Sequence, residues 1–362
     1  MRFQRIHIEL TNRCNFSCEF CPDSFMTRER GAMDFGLLRC VLDQISREGL
    51  TDQILFHVMG EPFLYPDLEK AVGYAKDKGL KVHITTNGSL VTPHILRQLL
   101  NARIDHILFS AQTPDERSFK LRKSSESFQE YKKHICGLLS EIASRKCATK
   151  VSLSFLTTPF KKLLLPSRPF SIVDTRRDLV RHVNSWLGAI ADGMPDGERK
   201  AQFREAVAGI QGRLTRSNML AWNRFTITDD FMIETRVLGD WIHEGLFARI
   251  FYPARIGSCE GLSKHLAILW NGDIVFCCVD FDGKTKFGNI KDISIADALR
   301  QKRAQEAIGG FKKLIVKEPY CQRCLGDVSF ERSLMRQIGS ILYFRLYRPW
   351  WDKTRRPKEA LA

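Results

Sequence analysis

Eight of the 11 cysteines fall in two groups, and grouped thiols are metal ligands or redox pairs. The early group is Cys14, Cys18 and Cys21, spaced C-x3-C-x2-C. The late group is Cys259, Cys277, Cys278, Cys321 and Cys324. A [4Fe-4S] cluster has four irons, and each takes one thiolate. Four cysteines close such a cluster; three leave one iron open to another ligand. A zinc site short of a local fourth ligand is the competing reading of the early three. In the late group, Cys259, Cys277, Cys321 and Cys324 are four soft ligands, enough for a closed zinc site or a closed iron–sulfur cluster. Cys278 adjoins Cys277 on a strand and therefore faces the other way, so it is set aside as a non-ligand. Cys40, Cys136 and Cys147 are scattered and read as buried small residues.

The elements that position these thiols follow from periodicity. Arg5 to Leu10 alternates at period two and predicts a strand leading into Cys14. Helical spacing over 35–47, 66–78, 93–101 and 128–144 alternates with short apolar runs at 53–58, 80–85, 104–109 and 150–155. Five β–α alternations predict a parallel sheet covered by helices, open or closed into a barrel. The stretch from Pro159 to about Asn223 reads as a helical insertion, with helices near 176–191 and 198–214, followed by a last strand near 231–237. Asn271-Gly272 between two apolar runs predicts a hairpin, and Ile295 to Ala307 a helix.

The ordered motifs resemble those of the radical S-adenosylmethionine (SAM) superfamily. The Cys14/Cys18/Cys21 spacing after the first strand is similar to its signature, with the aromatic Phe20 before the third cysteine. Gly60-Glu61-Pro62 follows the second strand, Thr86-Asn87-Gly88 the third, and Ser110 ends the fourth; Arg122 comes later. The resemblance implies a partial (β/α)6 TIM-like barrel. It implies that Cys14, Cys18 and Cys21 hold a cluster whose open iron binds SAM. Reductive cleavage then gives a 5′-deoxyadenosyl radical that abstracts hydrogen from substrate. Phe20 would lie near the adenine, Glu61 near the SAM ammonium and Arg122 near its carboxylate. Gly60, Asn87 and Ser110 would line the cofactor site, with Ser152 or Ser154 at the ribose. A one-electron reductant such as flavodoxin or ferredoxin is implied as a partner.

Cys259-x12-Gly272-x4-Cys277 is similar to the SPASM/twitch extension of these enzymes. The later cysteines of a full SPASM domain are missing, which favours a small α+β twitch domain. It would hold one auxiliary [4Fe-4S] cluster on Cys259, Cys277, Cys321 and Cys324, for electron transfer or for structure. The expected organisation is a barrel over 1–243, an auxiliary domain over 244–327 and a basic tail over 328–362. Two other readings stand beside this one. One is a SPASM-type peptide maturase, disfavoured because the first strand begins at the start of the chain and leaves no room for a peptide-recognition extension. The other is a non-catalytic metal-binding scaffold that binds nucleic acid or a partner.

Composition bounds the rest. Hydrophobic residues make up 44%, enough for a sizeable core, and no signal peptide or membrane span is visible. A cytoplasmic protein with reduced thiols is expected. The formal net charge of +15 predicts an anionic partner, with Lys161, Lys162, Arg176, Arg177 and the tail arginines contributing. A sugar- or phosphate-linked small molecule, a lipid-linked glycan or a membrane face would each fit. Leu334, Ile338, Ile341 and Leu342 share a helical face. The default expectation is a C-terminal helix docked on the barrel; the alternative is a peripheral helix on the inner membrane face.

Overall fold

The computed structural model describes residues 1–145, 147–159, 170–239 and 251–350. Lys161, Lys162, Trp351, Arg355, Arg356 and the boundary expected at 243/244 lie outside the described residues.

Among the described residues ten strands form one sheet: β1 (Arg5–Ile8), β2 (Gln53–Phe56), β3 (Lys81–Thr86), β4 (His106–Gln112), β5 (Lys150–Thr157), β6 (Asn223–Thr226), β7 (Phe231–Val237), β8 (His265–Ile268), β9 (Asp273–Val275) and β10 (Gly288–Asn289). The order is β10-β9-β8-β1-β2-β3-β4-β5-β7-β6. From β8 through β7 every neighbouring pair is parallel. Parallel neighbours need crossovers, and helices supply them. These are α1 (Phe35–Arg47), α2 (Leu68–Asp77), α3 (Pro93–Asn101), α4 (Phe128–Ala143), α5 (Arg176–Gly193) and α6 (Glu198–Gly209).

The helix starts are chemically marked. The Asp34 carboxylate accepts from Leu37 N, Thr92 caps α3 ahead of Pro93, and Ser127 with Glu130 forms a capping box on α4. Helices α1 to α5 each bury an apolar stripe, α1 through Leu38, Val41, Leu42 and Ile45, whereas α6 buries only Phe203. Cys40 falls on the opposite face of α1 and is exposed, and Cys147 is half-buried, so of the three scattered cysteines only Cys136 is a core residue.

Strand β3 shows what kind of sheet this is. Val82, Ile84 and Thr86 are buried, whereas Lys81, His83 and Thr85 are partly exposed. The buried face meets helices, and the open face looks into a lumen. Four strands lie between β1 and β7, so the two would stand roughly 24 Å apart in a flat sheet, yet Arg5 and Arg236 lie close enough to feel each other's charge. The sheet therefore curls without closing, and its edges are β10 and β6. This is the expected partial barrel.

The C-terminal region joins that sheet through β8, which pairs with β1 from Arg5↔His265 to Ile8↔Ile268. The expected hairpin is β8–β9, turning at Gly272 with φ +93. The single helix expected over 295–307 is two, α7 (Ile295–Arg300) and α8 (Lys302–Lys312), because Gln301 is extended at ψ 148. Two more helices follow, α9 (Pro319–Leu325) and α10 (Phe330–Ile341). Among the described residues no helix is long and apolar enough to cross a membrane.

Candidate functional site

The Cys14–Cys21 loop leaves the C-terminal end of β1, and three neighbouring loops hold it. Asn12 Oδ1 accepts from Gly31 N (2.8 Å) and its Nδ2 donates to Glu29 O (2.7 Å). Gly60 sits at φ +80, and a Cβ there would stand 2.3 Å from Thr11 O, so only glycine lets the β2 loop approach. Glu61 N then donates to Arg13 O (2.8 Å). The buried Glu61 carboxylate accepts from Thr86 Oγ1 (2.7 Å), Asn87 N (2.7 Å) and Phe63 N (3.2 Å). Asn87 Nδ2 reaches Asn15 Oδ1 (2.8 Å), inside the cysteine loop. Glu61 and Asn87 thus sit where the motif order puts them, as a brace between β2, β3 and the thiols. Burial pushes the Glu61 carboxyl above its usual range.

Arg122 is not a surface residue; it is 1% exposed beneath the loop. Its Nη1 donates to Ser110 O (3.0 Å) and Tyr131 Oη (3.2 Å), and its guanidinium lies 4.6 Å from the Phe16 ring. Its charge reaches the Cys18 thiol, while its Nε is buried with no partner among the described residues. Ser110 lies half-buried where β4 shifts register between Phe109 and Gln112. Phe20 is buried edge-on to Phe170 at 6.4 Å. Ser152 is buried between His106 Nε2 (2.8 Å) and Glu234 Oε1 (3.1 Å), so its hydroxyl is already engaged; Ser154 is buried beside it on β5.

The second group assembles from three segments. Cys259, Cys277, Cys321 and Cys324 line one cavity whose other walls include Leu262, Phe276 and Tyr320. Cys277 feels the other three thiols. Cys321 and Cys324 stand three apart on α9 and so share its face. Arg303 fixes α9 through a bidentate pair with Glu318 (3.0 and 2.8 Å). The Asp280 carboxylate accepts from Lys284 N and Thr285 N, shaping the turn after Cys277. Cys278 does not line the cavity; its charged neighbours are Arg5 and Arg236.

Both groups fit iron–sulfur clusters by donor chemistry. Burial pushes Cys14 up to about 11, raises Cys18 and Cys21, and raises Cys277 and Cys321 well above the usual thiol range. A thiolate in so dry a setting needs a cation beside it, which ligated iron supplies. Among the described residues no three Cys, His, Asp or Glu side chains converge as a single ion requires.

Sequence reasoning missed several residues that hold the site. The Glu9 carboxylate, 0% exposed, takes a bidentate ion pair from Arg28 (2.5 and 2.6 Å) and accepts from Met59 N and Trp270 N. It joins β1, the segment after the cysteines, the β2 loop and the end of β8. The signal was a lone carboxylate between Ile8 and Leu10. Glu234 was also missed. It is fully buried and accepts from Ser152, Trp222 Nε1 (3.0 Å), Arg224 (3.3 Å) and Arg236 (3.0 Å).

The lumen is polar. His7, His57, His83, His106 and His265 line it, and burial holds them neutral, at about 3 or 4. Arg5, Arg224 and Arg236 bring positive charge to the same wall, with Glu234 the carboxylate that Arg224 and Arg236 share.

Comparison with known proteins agrees. Residues 8–138 match the family model for the radical SAM superfamily, and residues 259–325 match the model for an iron–sulfur cluster-binding (SPASM) domain. The chain is 33% identical over 105 residues to the tungsten-containing aldehyde ferredoxin oxidoreductase cofactor-modifying protein of Pyrococcus furiosus; that match spans 29% of this chain and 30% of the relative. It is 24% identical over 264 residues to the S-adenosylmethionine-dependent nucleotide dehydratase of Selenomonas ruminantium, spanning 68% of this chain and 93% of the relative. The crystal structure of Streptococcus suis SuiB bound to precursor peptide SuiA superposes with a TM-score of 0.53 at 16% identity, over 85% of this chain and 66% of that one, which shows a shared fold. The chain belongs to the radical SAM superfamily and carries a SPASM-type iron–sulfur domain, so its cofactors are a SAM-binding [4Fe-4S] cluster, SAM and auxiliary iron–sulfur.

Proposed function

We propose that this enzyme performs hydrogen abstraction on an anionic, sugar- or phosphate-linked small molecule seated in the barrel lumen. Bound by Cys14, Cys18 and Cys21, the cluster with SAM supplies the hydrogen-abstracting 5′-deoxyadenosyl radical. The chain's own part is to hold and shield. Glu61, Asn87 and Asn12 fix the cysteine loop, and Arg122 supports Cys18 from below. Cys259, Cys277, Cys321 and Cys324 would hold one auxiliary cluster, in the twitch arrangement.

The observation that carries the substrate class is the lumen's charge. Arg5, Arg224 and Arg236 share it with the carboxylate of Glu234 and with five histidines that are neutral near pH 7. A phosphate or carboxylate entering there meets arginine and imidazole donors and acceptors. A relative matched over 93% of its own length is named for a nucleotide, itself an anionic substrate; another, the PqqA peptide cyclase of Xanthomonas campestris, is matched over 78% of its length and keeps peptide maturation as the second reading.

Anaerobic assay of 5′-deoxyadenosine formation tests this. Sugar phosphates or nucleotides should raise turnover above the basal rate, and Arg236→Gln should reduce that stimulation more than the basal rate. Stimulation by peptides alone would replace this reading with peptide maturation. Stimulation by neutral sugars equal to that by their phosphates would remove the anionic requirement.

A further inference from the structure

The C-terminal helix docks on the auxiliary region, not on the barrel as the default expectation had it, and with its faces reversed. The residues of α10 that face the protein are Ser333, Gln337 and Ser340. Gln337 Oε1 accepts from Arg255 N (2.9 Å) and Ile256 N (3.1 Å), Ser333 Oγ donates to Tyr252 O (2.9 Å), and Ser340 Oγ accepts from Ser258 N (3.1 Å). The arginines also turn inward. Arg336 donates to Cys324 O (2.8 Å), Arg345 to Phe311 O (2.7 Å), and Arg348 pairs with Glu260. A polar seam thus holds the helix against the auxiliary region.

Its apolar side chains point the other way. Phe330, Leu334, Met335, Ile338, Leu342 and Leu346 are between 42% and 63% exposed. A run of large aliphatic side chains set outward along one helix marks an interaction surface. The π turn over Leu342–Tyr347 widens the helical repeat. The four-residue spacing of Leu334, Ile338, Leu342 and Leu346 therefore stays near one line instead of winding around the helix. The stripe runs along the helical residues 330–350, roughly 30 Å.

Its chemistry is that of a lipid interface. Tyr343, Tyr347 and Trp350 stand together at its end, with ring centroids 5.7 and 6.1 Å apart, and aromatics with one polar edge favour the headgroup boundary. Exposed Lys312, Lys313, Lys317 and Arg255 lie on the segments that the seam contacts. The sequence continues through Trp351, Lys353, Arg355, Arg356 and Lys358. A second copy docked face to face would set this basic fringe against itself, whereas an anionic bilayer complements it.

We propose that this face, centred on Leu334, Ile338 and Leu342, lies in the interface of an anionic lipid bilayer, with the aliphatic side chains among acyl chains and the lysines at the phosphate level. It goes beyond the reaction proposed above and does not depend on it.

Flotation of the full-length protein with vesicles of phosphatidylcholine, with and without phosphatidylglycerol, tests it. The protein should float with the anionic vesicles, less so at high salt. Ile338→Glu with Leu342→Glu should weaken partitioning at least about tenfold, since both side chains lose their apolar burial. Lys312→Glu with Lys313→Glu should weaken binding to the anionic vesicles by about tenfold as well. The side chains of all four positions avoid the polar seam, which meets only the backbone carbonyl of Lys312, and unchanged circular dichroism and iron content would show that the variants fold. No flotation of the wild type would overturn the proposal. So would wild-type flotation by the Ile338/Leu342 variant, which would leave the basic tail as the sole anchor. A dimer that this variant converts to monomer, without vesicle binding by either, would make a second copy the occupant and overturn it equally.

Discussion

Cys14, Cys18 and Cys21 come from one loop, whereas Cys259, Cys277, Cys321 and Cys324 are gathered from a loop, a hairpin end and a helix. A loop is short enough to fix spacing by itself but too mobile to fix direction. Its geometry is therefore imposed from outside, by Glu61, Asn87 and Asn12. The four-thiol cage has the opposite problem. Its elements are rigid, and what must be secured is their mutual placement, which Arg303–Glu318 and the α10 arginines provide. The first site depends on hydrogen bonds to a loop; the second depends on the docking of whole elements.

The largest expected effect separates the two by function. Cys18→Ala should lower SAM cleavage more than about a thousandfold, equivalent to ~4 kcal/mol of barrier. Cys321→Ala with Cys324→Ala should spare that cleavage. Iron per chain should fall from about eight to about four in either case. SAM cleavage lost equally in both variants would show that the sites are not separable and would break the comparison.

Glu9 tests where they meet. Its carboxylate ties the β1 end to Trp270 N at the hairpin, so Glu9→Gln leaves Arg28 buried without its counter-charge. A loss of about 3–5 kcal/mol is expected from denaturant unfolding. A loss below 1 kcal/mol would mean the joint is dispensable.

Acid should act next. Burial lowers His7 to about 3, against an ordinary value of 6.5. Below 6.5 the unfolded chain binds protons that the folded chain refuses, so stability is complete above that pH and is lost as pH falls toward the folded value. Between pH 6.5 and 5 the loss should be roughly 1–2 kcal/mol for His7 alone, with His57, His83, His106 and His265 acting in the same direction. These histidines share one lumen, so iron should leave both sites in a single transition. A melting temperature that stays flat from pH 7 to 5 would contradict this.

Much of this was legible before the structure. Cysteine spacing and the ordered strand-end motifs are local, and local patterns survive reading one residue at a time. The helical stripes and the Asn271-Gly272 turn are legible for the same reason. What escaped was long-range. Glu9 is satisfied by residues 19, 50 and 261 positions away, and Glu234 by partners from β5, β6 and the Trp222 loop. The outward face of α10 escaped too. Periodicity shows that a helix has two faces, but which one docks was decided here by Ser333 and Gln337 meeting unpaired backbone at Tyr252–Ile256. The burial of Arg122 was not legible either, because its neighbours Lys120 and Lys123 are basic and charge alone does not reveal burial.

The smallest expected effect concerns Cys278, which adjoins a cage residue in sequence and belongs to neither site. The expected strand does not reach it: β9 ends at Val275, and Cys278 lies in the turn after Cys277, with Arg5 and Arg236 as its charged neighbours. It packs with Val275 and Phe281 in a small apolar cluster that also touches Cys21. As a small hydrophobe there it can be replaced by Ala, with a stability loss of about 1 kcal/mol or less. Iron content, the visible absorption of both clusters and basal SAM cleavage should stay at wild-type values. Loss of about four irons from Cys278→Ala would instead make it a cage ligand. The two-site description would then keep its first half and need its second rebuilt around the turn that carries both Cys277 and Cys278.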